Sequence, residues 1–204
     1  MPSCGEMQCH IAWKVYLCNN GEYEIRTIQI RKEGFMNGNN ITLIGMPGAG
    51  KSTVGVVLAK ALGYRFLDSD LEIQEQTNKR LSELIFEHGR QGFLEIENRV
   101  NSGISAVHTV IATGGSAVYG AEAMEHLRDI STVVYLKLSY ECLSERLGDL
   151  HERGVVMEDG QTLQDLMRQR CPLYETYAHL TIDAEKMEIR EIVEKLVGIL
   201  QVGN

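Results

Sequence analysis

Apolar and polar positions change rhythm partway along this chain. Ile11, Trp13, Val15 and Leu17 alternate with their neighbours, a period of two that predicts a strand. Asn20-Gly21 is a two-residue turn signal and residues 23–30 continue as a second strand-like run, so the beginning reads as a β-hairpin. Lys32-Glu33-Gly34 and Asn37-Gly38-Asn39-Asn40 have linker composition, and Met36 is a candidate alternative start, which sets off residues 1–40 as an extension. From Ile41 onward, strand-like apolar runs at 41–44, 65–67, 108–112, 132–138 and 180–183 alternate with segments of helical spacing at 51–62, 71–76, 80–88, 92–104, 121–128, 140–147 and 163–170. Ile189, Ile192, Val193, Leu196 and Leu200 stripe a closing helix.

Local signals sharpen some of these elements. The 51–62 helix is expected to bury Val54, Val57, Leu58, Ala61 and Leu62 and to stop at Gly63. The 163–170 helix is expected to halt before Pro172, and residues 148–160 form a polar loop. Strands separated by helices predict an α/β domain over 41–204, a mostly parallel sheet covered on both faces. Ligands of such sheets gather at the carboxyl ends of the strands. Three chemically loaded segments each follow a strand and should converge there: Gly45 to Ser52, Asp68-Ser69-Asp70 and Thr113-Gly114-Gly115-Ser116.

The first of these segments, G-M-P-G-A-G-K-S, matches the phosphate-cradling pattern G-x-x-x-x-G-K-[S/T], with a strand before it and a helix after. Gly45, Gly48 and Gly50 allow successive N–H groups to turn inward at the positive end of the helix, forming an anion site. Lys51 adds a charge for β- and γ-phosphates, and the Ser52 hydroxyl is placed to ligate Mg2+. A nucleoside triphosphate is the expected ligand.

Composition removes other classes. The chain has 204 residues, 44% hydrophobic and 24% charged, enough for one well-cored domain. A formal charge of −8 argues against sequence-independent binding to nucleic acid or anionic lipid. No apolar run approaches a membrane span, and Met1 to Gly5 lacks a basic region followed by an apolar one, so a soluble cytoplasmic protein, acting as a monomer, is expected. Cys4, Cys9, Cys18, Cys142 and Cys171 are odd in number without paired short spacings, as for reduced thiols; Cys4, Cys9, His10 and Cys18 could ligate zinc but lack the C-x2-C knuckle.

In order and separation, G-M-P-G-A-G-K-S-T, F-L-D-S-D, G-F-L-E-I-E, A-T-G-G-S, R-G-V-V and R-C-P-L-Y resemble the shikimate kinase family over residues 41–201. The resemblance implies a P-loop NTPase-type three-layer sandwich around a five-stranded parallel sheet, with ATP and Mg2+ as cofactors. It implies transfer of the γ-phosphoryl group to a hydroxyl of shikimate, a small cyclic acid on the route to aromatic amino acids. Matched residue by residue, Gly45, Gly48, Ala49, Gly50, Lys51, Ser52, Thr53, Arg146 and the lid arginine Arg153 serve ATP, and Ser52 and Asp68 the metal. Asp70 grips the acceptor hydroxyl and draws its proton, Gly114, Gly115 and Ser116 approach phosphate and acceptor, Arg170 clamps the acceptor carboxylate, and Glu97 orients the pocket arginines. Lys51, Asp70 and Arg153 are the catalytic set this implies.

One position departs. The arginine that follows the matched Phe93 in the family, a second clamp on the carboxylate, is Leu94 here. Losing one of two such contacts should cost on the order of 1.5 to 3 kcal/mol. The acceptor is then shikimate or a related polyhydroxy, less acidic molecule. Arg90 shares a face with Leu94 if the helix is continuous and would stand in for the missing cation; Gly89 and Gly92 argue against continuity, and surface exposure is the expectation for Arg90. A nucleoside monophosphate kinase and a nucleotide-responsive binding module using Ile11, Trp13 and Val15 are the readings from other classes.

Overall fold

The computed structural model describes residues 10–19, 22–31, 40–147 and 160–202, with side chains over 40–146 and 160–200. β1 (His10–Asn19) and β2 (Glu22–Arg31) pair antiparallel, from His10 opposite Arg31 to Asn19 opposite Glu22. The Asn20-Gly21 turn, the linker at 32–39 and the side chains of Cys4, Cys9, His10 and Cys18 lie outside the described residues. Cys142 and Cys171 are free thiols.

Five parallel strands form the central sheet: β3 (Asn40–Ile44), β4 (Arg65–Asp68), β5 (Thr109–Ala112), β6 (Ser131–Lys137) and β7 (Leu180–Asp183), in the order β4-β5-β3-β6-β7. β3, β5 and most of β6 are buried, as continuous apolar runs covered on both faces should be, whereas the edge strands β4 and β7 keep exposed positions. The sheet begins at Asn40, which linker composition had hidden. This buried amide donates to Ala106 O at 2.7 Å and Ile130 O at 3.0 Å and accepts from Thr109 N at 3.0 Å, tying the starts of three strands together.

Seven α-helices and a short 3-10 helix (Ala117–Tyr119) complete the described fold: α1 (Lys51–Leu62), α2 (Ser69–Thr77), α3 (Leu81–Ser102), α4 (Ala121–Ile130), α5 (Tyr140–Leu147), α6 (Leu163–Tyr177) and α7 (Ile189–Val202). α1 packs on β3, β4 and β5 and against α7, while α4 and α6 cover β6 and α4 meets α3. α1 stops at Gly63 (φ 70°), whose N–H bonds Ala59 O and Lys60 O. Val54 and Leu58 are buried as expected, but Val57 is 40% exposed and Ala61 is exposed, because the contacting stripe is narrower than the apolar one.

Three helical expectations are corrected. α2 starts two residues early at Ser69, because Asp68 Oδ1 accepts from Asp70 N at 3.0 Å and caps it. α3 runs across the segments expected at 80–88 and 92–104, interrupted only at Gly89 (φ 66°, ψ 179°), so Gly92 is helical. α6 continues through Pro172 to Tyr177. An internal proline costs roughly 3 kcal/mol. Here its exposed side faces solvent, Thr176 Oγ1 donates to Pro172 O at 2.8 Å, and the fully buried Tyr174 holds the next turn.

Candidate active site

β3 lies between β5 and β6, so the segments that leave β3 and β5 border one crevice at the carboxyl end of the sheet. A cavity of 420 Å3 opens there, lined by Pro47, Gly48, the stretch from Gly50 to Thr53, Asp70, Leu81, Phe93, the turn from Thr113 to Ser116, and Arg170, with the sequence-predicted Ala49 outside the lining. The three loaded segments therefore meet as expected.

Gly50 holds φ 87°, a left-handed conformation that lets α1 begin directly from the loop, with its first residues Lys51, Ser52 and Thr53 lining the cavity. Ala49, 2% exposed, closes the turn by donating to Met46 O at 3.1 Å. Lys51 Nζ donates to Gly45 O at 2.9 Å and Met46 O at 3.0 Å. Its burial lowers the ammonium pKa to about 8, with the Asp70 carboxyl opposing.

On the facing side, Ser52 Oγ donates to Asp68 Oδ2 at 2.7 Å, so Asp68 serves both the loop and the α2 cap. Asp70 is half-buried, and desolvation, reinforced by Asp68 and opposed by Lys51, raises its pKa to about 6. Thr53 lines the cavity from an exposed position.

After β5, the turn is fastened from three directions. Thr113 N and Oγ1 donate to Leu43 O at 3.2 and 3.1 Å, Gly114 N donates to Ser69 Oγ at 3.2 Å, and Tyr174 OH donates to Gly115 O at 2.6 Å. A side chain at Gly114 would collide with Glu97 Oε1 and come within 2.8 Å of Asp70 Oδ1. Glu97 is 1% exposed, and burial pushes its carboxyl up to about 7. Ser116, itself buried, pulls that value back, yet neither Glu97 oxygen completes a well-directed hydrogen bond.

Arg170, 1% exposed, is the largest fully buried side chain among the described residues. Its Nε donates to Tyr119 OH at 3.3 Å and its Cζ lies 5.3 Å from the Tyr119 ring centroid. Leu94 packs against the satellite core of Ile73, Leu84, Phe93 and Val100 and does not line the cavity. Contrary to the expected surface position, Arg90 is half-buried with its Cζ 5.4 Å from the same Tyr119 ring. The kink at Gly89 and the resumption of helix immediately afterwards put it there. Arg146, in the last turn of α5, is exposed and is not among the cavity-lining residues, and Arg153 with the rest of 148–159 lies outside the described residues.

Sequence reading overlooked Ser69, Tyr119 and the anchoring role of Tyr174. Tyr174 stood in the R-C-P-L-Y run, but its partner Gly115 is 59 residues away in sequence, and Tyr119 carries no local signal.

A phosphate loop at the switch point of a doubly covered parallel sheet, with two aspartates opposite its lysine, defines the class of P-loop phosphotransferases. The family model described as shikimate kinase matches residues 47–201. The chain is 36% identical to shikimate kinase 2 of Yersinia enterocolitica over 169 residues, covering 78% of this chain and 94% of that protein. Among solved structures, shikimate kinase from Acinetobacter baumannii in complex with shikimate is 35% identical with a TM-score of 0.75, covering 83% of this chain and 97% of that one. Shikimate kinase from Aquifex aeolicus is 27% identical with a TM-score of 0.67, over 81% and 97% of the two chains. The chain belongs to the shikimate kinase family. No helix among the described residues is long and apolar enough to cross a membrane.

Proposed function

We propose that this enzyme transfers the γ-phosphoryl group of ATP to a ring hydroxyl of shikimate. The observation that carries the proposal is the meeting of Lys51, Asp70 and Arg170 around one 420 Å3 cavity, a triphosphate cation, a raised carboxyl and a buried guanidinium. The loop amides and Lys51 hold the β- and γ-phosphates. Asp70, ionised above about pH 6, accepts the hydrogen of the attacking hydroxyl and orients its oxygen in line with the γ-phosphorus. As the new P–O bond forms and the bond to the β-phosphate oxygen breaks, the proton goes to Asp70 and ADP leaves. The turn of Gly114, Gly115 and Ser116 approaches the transferring group and the acceptor, Arg170 takes the acceptor carboxylate, and Glu97 steadies Arg170.

Ser52 and Asp68 fit Mg2+. They present hard oxygens 2.7 Å apart beside the phosphate loop, and among the described residues no group of three or more His, Cys, Asp or Glu could cage a metal alone, which suits an ion held largely by phosphates and water. When bound, Mg2+ supplies charge to neutralise the phosphates. Arg146 and Arg153 are assigned to the adenine and to the lid by family resemblance. The same reading makes residues 1–40 an extension to the kinase domain and has the protein work as a cytoplasmic monomer.

Purified protein with MgATP should form ADP and shikimate phosphate when shikimate is added, and Lys51→Ala should lower that rate by roughly a hundredfold or more. A coupled assay with product mass spectrometry checks this, with CMP and AMP as parallel acceptors. No shikimate-dependent rate above background, or faster turnover of a nucleotide, would overturn the assignment.

A further inference from the structure

Among the described residues, five buried side-chain nitrogen and oxygen atoms make no hydrogen bond, and four of them belong to Glu97 and Asn101. Glu97 is 1% exposed and Asn101 is wholly buried. Both lie in the regular part of α3 beyond the Gly89 kink, four residues apart, so they share one face on successive turns. Other asparagines of the fold are served. Asn40 fills both its amide and its carbonyl, and Asn98 donates to Glu122 Oε2 at 3.2 Å and accepts from Ala123 N at 3.0 Å.

A carboxyl and an amide removed from water without partners are costly, and folded proteins resolve such pairs with ordered water where two to four polar atoms converge. Glu97 and Asn101 supply that set, with two carboxyl oxygens, one amide acceptor and an amide nitrogen that donates twice. Water donates on one side and accepts on the other, so it serves Glu97 with or without its proton. The pair also stands directly behind the cleft. Glu97 Oε1 abuts the place a side chain on Gly114 would occupy, with Asp70 Oδ1 2.8 Å from the same place, so the carboxyl presses on the turn that lines the cavity. Whatever holds Glu97 from behind sets where that turn stands.

We infer that a water molecule is bound in the interior between Glu97 and Asn101, and that through it Asn101 is a positioning residue for the Glu97 carboxyl and the Gly114 turn. The water site is independent of the acceptor; the positioning role rests on the shikimate-phosphorylating reading. Asp70, Arg170 and Lys51 are the charged groups that bear on Glu97, and a change at Asn101 leaves all three in place. A carboxylate loses more than a carboxylic acid when its donors go, because charge-assisted hydrogen bonds are roughly twice as strong as neutral ones. Without Asn101 and its water, Glu97 holds its proton to higher pH.

The test uses the full-length enzyme, with crystals that diffract well enough to order water, infrared titration of the buried carboxyl, and thermal unfolding as a fold control. Asn101→Leu keeps the volume and removes both polar atoms; Asn101→Ser keeps a hydroxyl and room for water. Density within hydrogen-bond distance of both residues is expected in wild type and Asn101→Ser and should vanish in Asn101→Leu. The Glu97 carboxyl band, identified by its absence in Glu97→Gln, should persist about one pH unit higher in Asn101→Leu than in wild type, with Asn101→Ser close to wild type. The KM for shikimate should rise roughly three- to tenfold in Asn101→Leu, with that for MgATP within about twofold. A direct contact between Glu97 and Asn101 with no water between them, or an unmoved Glu97 titration in a folded Asn101→Leu, overturns the water site. Equal changes in both KM values overturn the positioning role. A wild-type enzyme inactive on shikimate overturns the acceptor reading and that role with it, while density and titration still decide the water site.

Discussion

Glu97 is a carboxyl placed where water cannot reach it, and its pH behaviour follows from that position. Its folded-state pKa is raised from 4.5 to about 7, chiefly by desolvation. Below pH 4.5 the group is protonated folded or unfolded and contributes nothing; as pH rises towards 7 the unfolded chain releases its proton first, so native stability falls, and above about 7 the full penalty stands. Glu97→Gln removes that penalty. It should raise the melting temperature by roughly 5 °C at pH 8 and much less at pH 4.5, measured by scanning fluorimetry. An equal shift at both pH values would show that Glu97 is not desolvated in the native state. The sequence marked Glu97, Asp70 and Lys51 through their motifs, but not the perturbation of their protons, which comes from burial produced by segments distant in sequence. Tyr119 was invisible for the same reason, being an ordinary tyrosine until α6 delivers Arg170 to it.

Among the elements, the strand-loop-helix unit from β3 to α1 was legible because the pattern, the glycines and the cap at Gly63 all agree. α3 and α6 were misread where a local breaker was outweighed by packing. Pro172 argued for a helix end, and burial of Arg170 and Tyr174 on either side carried α6 through it. Gly89 and Gly92 suggested a broad gap; only Gly89 leaves the helix, at φ 66° and ψ 179°, and a side chain there would meet open space. Gly89→Ala should therefore act through backbone strain alone, destabilising by about 1 to 3 kcal/mol. The expected readout is a melting temperature lowered by roughly 3 to 10 °C with MgATP affinity unchanged. A variant as stable as wild type would mean the kink relaxes into continuous helix.

At the scale of the whole molecule, a parallel sheet follows from apolar runs separated by helices, but the order β4-β5-β3-β6-β7 is set by pairing over long separations, which composition does not encode. The pairing of β1 with β2 was readable from alternation together with the Asn20-Gly21 signal, and every described cavity-lining residue lies between Pro47 and Arg170. Removing residues 1–35 should leave shikimate-dependent ADP formation within about twofold, since the domain keeps its own core. A tenfold or greater loss in the same assay would show that the extension belongs to the catalytic unit. The bare backbone at Gly114, approached by Glu97 from α3 and Asp70 from α2, gives the cleft a hub with no spare volume. Efforts to retrain this enzyme on a foreign acceptor will meet a closed door at that hub, and the freedom to change taste lies instead along the outer wall of α3.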